Sequence, residues 1–489
     1  MFWIGILYFA EGFPLGIFYD LFPVYFRQQG VALWKIGFMS LLGLAWTLKF
    51  LWAPAIDHYR QHRRWMFFVD ILMGAVILVF AMKSGFGPWV WLAIGAFTLL
   101  SATNDIAIDG YSIEFLEKGE LGLANGLRIG FYRVGMLASG FVLILSDYMT
   151  WSGAYVVAAM ILVLLGFVCL RAPKEKIVAA KKTIPLGAEF KKIFHQPKAF
   201  GTVLLFFGGT LWLINKATKW SDDFPFFWMM VFGVAGLFFI SSVLSRSFSK
   251  QDEKADDFSS LAEGPMFGTL MEMLRRPYFA PVIIFILIFK LADSSMGFMV
   301  KPFWVDAGFT ATEIGLVSVN IGLVLSILGG IAGGWFTDRT GIFKSLWLLG
   351  LFQAISNLGY AYAATVIPTG VENAVLPLQT KLIMYSASGI ESFTGGLGTA
   401  AFLAFLMAIV NKRHSATEYA LLSSVFALSR SVAGWAGGFG AQSMGYGPYF
   451  LLTFFLAFPA YLLLPWVKKM MIYASEQEGW GQANKAKTD

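Results

Sequence analysis

The chain has 489 residues, of which 57% are hydrophobic and only 14% charged, and its mean hydropathy is +0.66. A soluble fold of this size needs roughly 25% charged residues to cover its surface, so lipid must be the solvent for the long apolar runs. The net charge of +7 does not indicate a nucleic-acid partner, because the basic residues sit in short loops beside apolar stretches, where they report membrane topology.

A crossing helix needs about 20 apolar residues. In chain order the sequence predicts spans at 3–26, 37–56, 66–83, 88–113, 121–146 and 152–171, then at 279–304, 312–336, 345–366, 381–410, 416–440 and 447–467. Two further apolar stretches, 199–215 and 225–245, lie between the sets. The expectation is an all-α integral membrane protein with two six-helix bundles and two extra helices between them. Its segments are an N-terminal bundle at 1–173, a linker with the extra pair at 174–277, a C-terminal bundle at 278–468 and a polar tail at 469–489. Phe2 opens the first span without a basic n-region, so no cleavable signal is expected.

The loops at 58–64, 171–198, 338–344 and 411–414 and the pair Lys468/Lys469 are basic and all fall on one side. By the positive-inside rule both termini are cytoplasmic. The stretches 184–197 and 265–277 each gather apolar residues on one helical face and read as interfacial helices. Cys169, the one cysteine, lies inside an apolar run. With no metal-ligand spacing, neither a metal nor a cofactor is expected. The four histidines, His58, His62, His195 and His414, fall in predicted loops, which leaves no dyad or metal site for an intramembrane enzyme.

The two sets repeat one plan. Pro23, Gly30 and Gly37 recur as Pro302, Gly308 and Gly315 to within one residue. Asp57 and Asp338 each open a basic loop, and YRVGMLASGF (132–141) is echoed by SRSVAGWAGGF (429–439). The loop GWFTDRTGIFK (334–344) fits the G-x-x-x-D-R-x-G-x-x-[KR] element of a major facilitator half; APAIDHYRQHRR (53–64) is a degenerate copy. Its glycine would let helices approach and its aspartate pair with a neighbouring helix. Gly334, Asp338, Arg339, Lys344 and Asp57 are therefore candidate gating-loop residues, with positive-inside anchoring an equally simple account.

Each ionised side chain at the bilayer centre costs about 2.5–3.5 kcal/mol. Glu11, Lys49, Asp70, Asp105, Asp109, Arg133, Lys290, Asp293, Glu391 and Arg430 all lie in predicted spans. They must face one another or a wet pathway. Asp105 and Asp109 share a helix face, and Lys290 and Asp293 are one turn apart. Paired carboxylates tend to hold one proton between them, so Asp105, Asp109, Asp293 and Glu391 are the proton-coupling candidates. Lys49, Lys290, Glu11, Arg133 and Arg430 are the substrate-binding candidates. A fixed salt-bridge network is the alternative for all of them, and Asp70 and Arg128 rank lower because they fall near predicted helix ends. Trp46, Tyr132 and Trp435 are candidates to stack on a sugar.

The segments 36–59, SATNDIAIDGY (101–111), YRVGMLASG (132–140), FKLADS (289–294), ISNLGYAYA (355–363) and 389–424 resemble the AmpG-type muropeptide permeases of the major facilitator superfamily. That resemblance implies a proton-driven importer of GlcNAc-anhydroMurNAc peptides for peptidoglycan recycling, in the bacterial inner membrane and monomeric. It also places the family's span-four aspartate on Asp105. Glu11, Asp70 and the insertion at about 190–265 depart from the family pattern. A carrier for another anionic metabolite, such as an acyl-coenzyme A or a sugar conjugate, is the alternative.

Overall fold

The computed structural model describes residues 2–49, 61–83, 85–115, 121–174, 273, 276–370, 376–410 and 415–485. Every element among them is helical, and the helices are numbered here in chain order. In the first set, α1 is Phe2–Gln28, α2 is 33–48, α3 is His62–Met82 and α4 is Pro88–Phe115, while α5 and α6 share the run Leu121–Leu170. In the second, α7 is Phe279–Asp306, α8 Ala311–Thr340, α9 Ile342–Val366, α10 Leu378–Ala408 and α11 Ser415–Met444. α12 combines Tyr446–Tyr461 with Leu464–Lys485 across a bend of 47°. The interfacial stretch 184–197, both extra apolar stretches, Asp57 and the 411–414 loop lie outside the described residues.

All-helical architecture follows from the solvent. Hydrocarbon offers backbone N–H and C=O groups no partner, so each spanning segment must satisfy its own. Breaks are then tolerated where protein surrounds them or at an exposed helix end, as at Thr150. Thr150, at φ 68, ends α5 and starts α6. Lys290 leaves helical geometry inside α7, among neighbours that satisfy its side chain. α1 widens to a π-turn at Ile17–Leu21 and α8 opens with one at Ile314–Ile321. Such bulges recur at functional positions.

The sequence repeat is a structural repeat. α1 ends with Gly30 at φ 73 and a Val31 N–H bond to Phe26 O of 3.0 Å; α7 ends with Gly308 at φ 84 and a Phe309 N–H bond to Trp304 O of 3.1 Å. Both are the helix stop that a left-handed glycine permits. The repeated glycines then meet partners from the other set. A Cβ on Gly37 of α2 would lie 2.7 Å from Gly438 Cα of α11, and one on Gly315 of α8 would lie 2.6 Å from Gly140 O of α5. Two matching crossings, α2 on α11 and α8 on α5, thus join the sets through bare backbone.

These crossings sit at the end of the bundle where α1 and α7 finish, and polar ties cluster there too. Arg27 Nε lies 2.5 Å from Asp306 Oδ1, Thr312 N donates to Asp147 Oδ2 at 2.6 Å, and Leu33 N donates to Gln442 Oε1 at 3.0 Å. At the opposite end the second set is pinned within itself. Arg276 and Glu418, both buried, form a two-pronged ion pair, and Arg276 also donates to Ile409 O at 3.3 Å.

Several positions differ from the sequence expectation. α3 starts at His62, which is buried against Gly110, so this histidine is not in a loop. Asp70 is consequently two turns inside α3 and fully buried. The polar tail continues as helix to Lys485, consistent with its Lys, Met, Ala, Glu and Gln content. The expected loop at 334–344 is instead the end of α8 and the start of α9, which meet at Gly341 with φ 87; within it Gly334 faces open space, while its neighbour Gly333 packs on α10, where a Cβ would lie 2.7 Å from Leu397 O.

Candidate functional site

Charged side chains that sequence spacing could only place on helices come together in two clusters. The first joins α1, α2, α4 and α5. Lys49, at the end of the described part of α2, has its Nζ 3.6 Å from Asp105 Oδ2 and 3.8 Å from Asp109 Oδ2. The two carboxylates share a face of α4 because they are four residues apart. Arg128 Nη2 reaches Asp109 Oδ1 at 3.2 Å, and the Tyr8 hydroxyl donates to the same oxygen at 3.0 Å. Arg128 also lies over the Tyr8 ring, 5.0 Å from its centroid. Glu11, one turn along α1 from Tyr8, is buried within the field of Asp105, Asp109, Arg128 and Lys49, and its Oε2 has no hydrogen-bond partner among the described residues.

The second cluster forms at the break in α7. Lys290 Nζ bonds Gln353 Oε1 of α9 at 2.9 Å and contacts Asp293 Oδ2 at 3.3 Å and Gly395 O of α10 at 3.5 Å. Glu391 and Asp293 converge over Gly395: a Cβ there would lie 3.8 Å from Glu391 Oε1 and 3.9 Å from Asp293 Oδ1. Gly395 is thus the gap through which one carboxylate of α7 and one of α10 face each other.

Between the clusters run residues that touch both helix sets. Asp20, in the π-turn of α1, lies 3.5 Å from Lys301 Nζ of α7. Lys301 also donates to Ser318 Oγ at 2.7 Å and to Ser318 O at 3.1 Å. That carbonyl belongs to the π-turn of α8, where the wider turn relaxes the regular backbone ladder. Tyr19 and Trp46 face each other with centroids 6.3 Å apart, Phe298 meets Tyr19 edge-on at 5.4 Å, and the Arg430 guanidinium sits 3.9 Å above the Tyr19 ring.

Of the residues expected from sequence, the structure brings together Lys49, Asp105, Asp109 and Glu11 in one place and Lys290, Asp293 and Glu391 in another. Arg133 and Arg430 belong to neither by contact. Asp338 and Lys344 are exposed, Arg339 lies over Trp335 at 4.2 Å, and Asp338 makes no ion pair among the described residues. Asp70 stands apart, accepting a hydrogen bond from Asn104 Nδ2 at 2.9 Å. Reasoning from sequence missed Asp20 and Lys301, although both lie inside predicted spans and the rule of costly intramembrane charge applies to them equally. It ranked Arg128 low as lying near a helix end; the helix starts at Leu121, as the sequence placed it, and Arg128 nevertheless reaches Asp109. Tyr8 and Gln353 are uncharged and gave no such signal.

Each charge cluster thus lies within one helix set, and Asp20–Lys301 joins the two sets. No family profile matches the chain. Among characterised sequences, the anhydromuropeptide permease of Escherichia coli strain K12 is 26% identical over 472 residues, covering 94% of this chain and 78% of that protein. A Rickettsia felis protein named putative transporter AmpG 1 is also 26% identical, over 94% of this chain and 96% of its own length. The chain is a relative of the AmpG-type permeases. Solved structures agree on the fold. An auto-inhibited POT family peptide transporter superposes with a TM-score of 0.65 at 10% identity, covering 96% of each chain. A bacterial homologue of the lysosomal transporter Spinster gives 0.58 at 10% identity over 96% of each. This AmpG-type relative is therefore a multi-pass transporter of the major facilitator fold and not an enzyme.

Proposed function

We propose that this transporter imports GlcNAc-anhydroMurNAc peptides with protons across the bacterial inner membrane, by alternating access, for peptidoglycan recycling. The charge balance of the two clusters carries this reading. Glu11, Asp105 and Asp109 stand against Lys49 and Arg128, three acids to two bases; Asp293 and Glu391 stand against Lys290, two to one. One proton neutralises each cluster. A bundle that rocks around its charges moves more readily when they sum to zero, since net charge in hydrocarbon is expensive.

In this reading Asp105, Asp109, Asp293 and Glu391 carry the coupling protons. Lys49, Lys290, Glu11, Arg133 and Arg430 meet the substrate. Asp57, Gly334, Asp338, Arg339 and Lys344 form the cytoplasmic gate, at helix ends that separate as the halves rock. Both termini lie in the cytoplasm, the bundles span 1–173 and 278–468, and the monomer is the working unit. The ties at the far end of α1 and α7 then close the periplasmic side, so this conformation faces inward. The name of the Escherichia coli relative supports the substrate.

Uptake of labelled anhydromuropeptide into proteoliposomes tests the reading. Accumulation above equilibrium under an inward proton gradient, abolished by a protonophore, is the expected result. Failure to accumulate the muropeptide under any gradient would sink it and favour a carrier for another anion, such as an acyl-coenzyme A or a sugar conjugate.

A further inference from the structure

One buried acid has no base. Asp70 lies two turns inside α3, is fully buried and forms no ion pair among the described residues. The groups packed on it from α6 and α4 are neutral. A Cβ on Gly166 of α6 would lie 3.2 Å from Asp70 Cβ, and Cys169, one turn further along that helix, is buried too. From α4 comes Asn104, also fully buried, whose Nδ2 donates to Asp70 Oδ1 at 2.9 Å. Two atoms of this pair are left over. Asp70 Oδ2 and Asn104 Oδ1 are both buried without a hydrogen-bond partner among the described residues. Both are acceptors, so neither can serve the other until one carries a hydrogen, and of the two groups only the carboxyl takes up a proton. An ionised carboxylate at this place would be a buried charge with no counter-ion, which is costly in protein and in membrane alike.

We propose that Asp70 is a standing carboxylic acid, its Oδ2–H donated to Asn104 Oδ1 in a neutral acid–amide ring, and that this ring is the positioning device for the coupling site on α4. The ring ties α3 to α4 and leaves neither buried acceptor unmet. Asn104 and Asp105 are consecutive, so their side chains leave α4 about 100° apart. Holding Asn104 on α3 therefore sets the direction in which Asp105, and Asp109 one turn on, face Lys49. Hydrogen bonds are among the few specific ties between apolar helices, so the rotation of α4 depends on this one. The proton on Asp70 stays in place through the cycle, in contrast to those of the two clusters. The positioning role rests on the proton-coupled importer reading above; the protonation state of Asp70 does not.

The acid is tested by infrared spectroscopy of the full-length protein in nanodiscs at neutral pH, wild type against D70N. Wild type should show the C=O band of a protonated carboxyl that D70N lacks; loss of a carboxylate band in its place would overturn the proposal. The positioning role is tested in proteoliposomes by dividing gradient-driven accumulation of anhydromuropeptide by its exchange at equilibrium, a ratio that a lowered yield does not alter. D70N supplies an amide that makes both bonds of the ring and should keep the ratio within about twofold. D70L leaves Asn104 unmet and should lower it at least tenfold, because Asp105 then turns from Lys49 while the substrate path stays open. The exchanged variant D70N/N104D should restore both the infrared band and the ratio. A ratio lost in D70N, or kept in D70L, would overturn the positioning role. Accumulation that requires sodium ions in wild type and not in D70N would make this a cation site and overturn the acid. If wild type accumulates no muropeptide, the importer reading and the positioning role fall together, and the infrared comparison decides the acid by itself.

Discussion

Arg27 and Asp306 close the last turns of the first helix in each set, occupy corresponding places in the repeat to within one residue, and bond each other at 2.5 Å. One position of the ancestral plan has become a cation in one half and an anion in the other. The contact is therefore made near the pseudo-two-fold axis. Tyr446 adds a hydroxyl bond to Asp306 Oδ2 at 2.7 Å, and Arg27 caps Val31 O at 2.9 Å.

Breaking this pair should loosen the end of the bundle where the halves meet. A partly exposed pair is worth about 0.2–1 kcal/mol, enough to change the ratio of two conformers by up to about fivefold. R27Q should raise the modification rate of a cysteine placed at Val31 in otherwise cysteine-free protein by up to that factor. The exchanged double variant R27D/D306R should return it toward wild type; an unchanged rate in R27Q would show that the pair holds nothing.

The glycine crossings set a sharper limit. A Cβ on Gly315 would lie 2.6 Å from Gly140 O, and one on Gly438 2.6 Å from Leu33 O, both backbone atoms that have little room to yield. G315A and G438A should therefore prevent full closure and lower transport at least tenfold while leaving the amount of folded protein near normal. Transport by G315A at the wild-type rate would mean that this crossing does not form during the cycle.

Gly333 and Gly334 give a paired prediction within one motif. Overpacking of this kind costs about 1–3 kcal/mol, so G333A, meeting Leu397 O at 2.7 Å, should lower the melting temperature in detergent. G334A, with nothing near its Cβ, should leave it unchanged. A larger loss from G334A than from G333A would contradict the packing described for α8 on α10.

The Arg276–Glu418 pair should behave as a structural lock. Removing one partner of a buried ion pair typically costs about 3–5 kcal/mol, whereas replacing both by apolar residues is often neutral. E418Q should depress the melting temperature strongly, and R276M/E418L should recover most of the loss. If the double variant is as unstable as E418Q, the pair acts through contacts other than its charge.

Much of this was legible in the sequence, and for a physical reason. Hydrocarbon forces helices, prices each buried charge and sorts basic loops to one side, so Lys49, Asp105, Lys290 and Asp293 stand out against an apolar background. Repeat spacing found Gly30, Gly37, Gly308 and Gly315 before any packing was known. What stayed hidden depends on tertiary placement. That Gly37 meets Gly438, or that Asp20 meets Lys301 across the halves, is a property of helix packing and leaves no trace in local periodicity. The same holds for the break at Lys290: its run of apolar residues predicts an uninterrupted helix, and only the partners Gln353 and Gly395 make the break tolerable.

The central claim is that Asp105, held beside Lys49, carries a proton with the substrate. Substrate-driven proton movement in proteoliposomes, followed with an internal pH indicator, addresses it directly. Adding anhydromuropeptide outside should acidify the lumen of wild-type vesicles. D105N should show no acidification while still exchanging labelled for unlabelled substrate across the membrane. Acidification by D105N at the wild-type rate, or muropeptide entry into wild-type vesicles with no proton movement, would contradict the account.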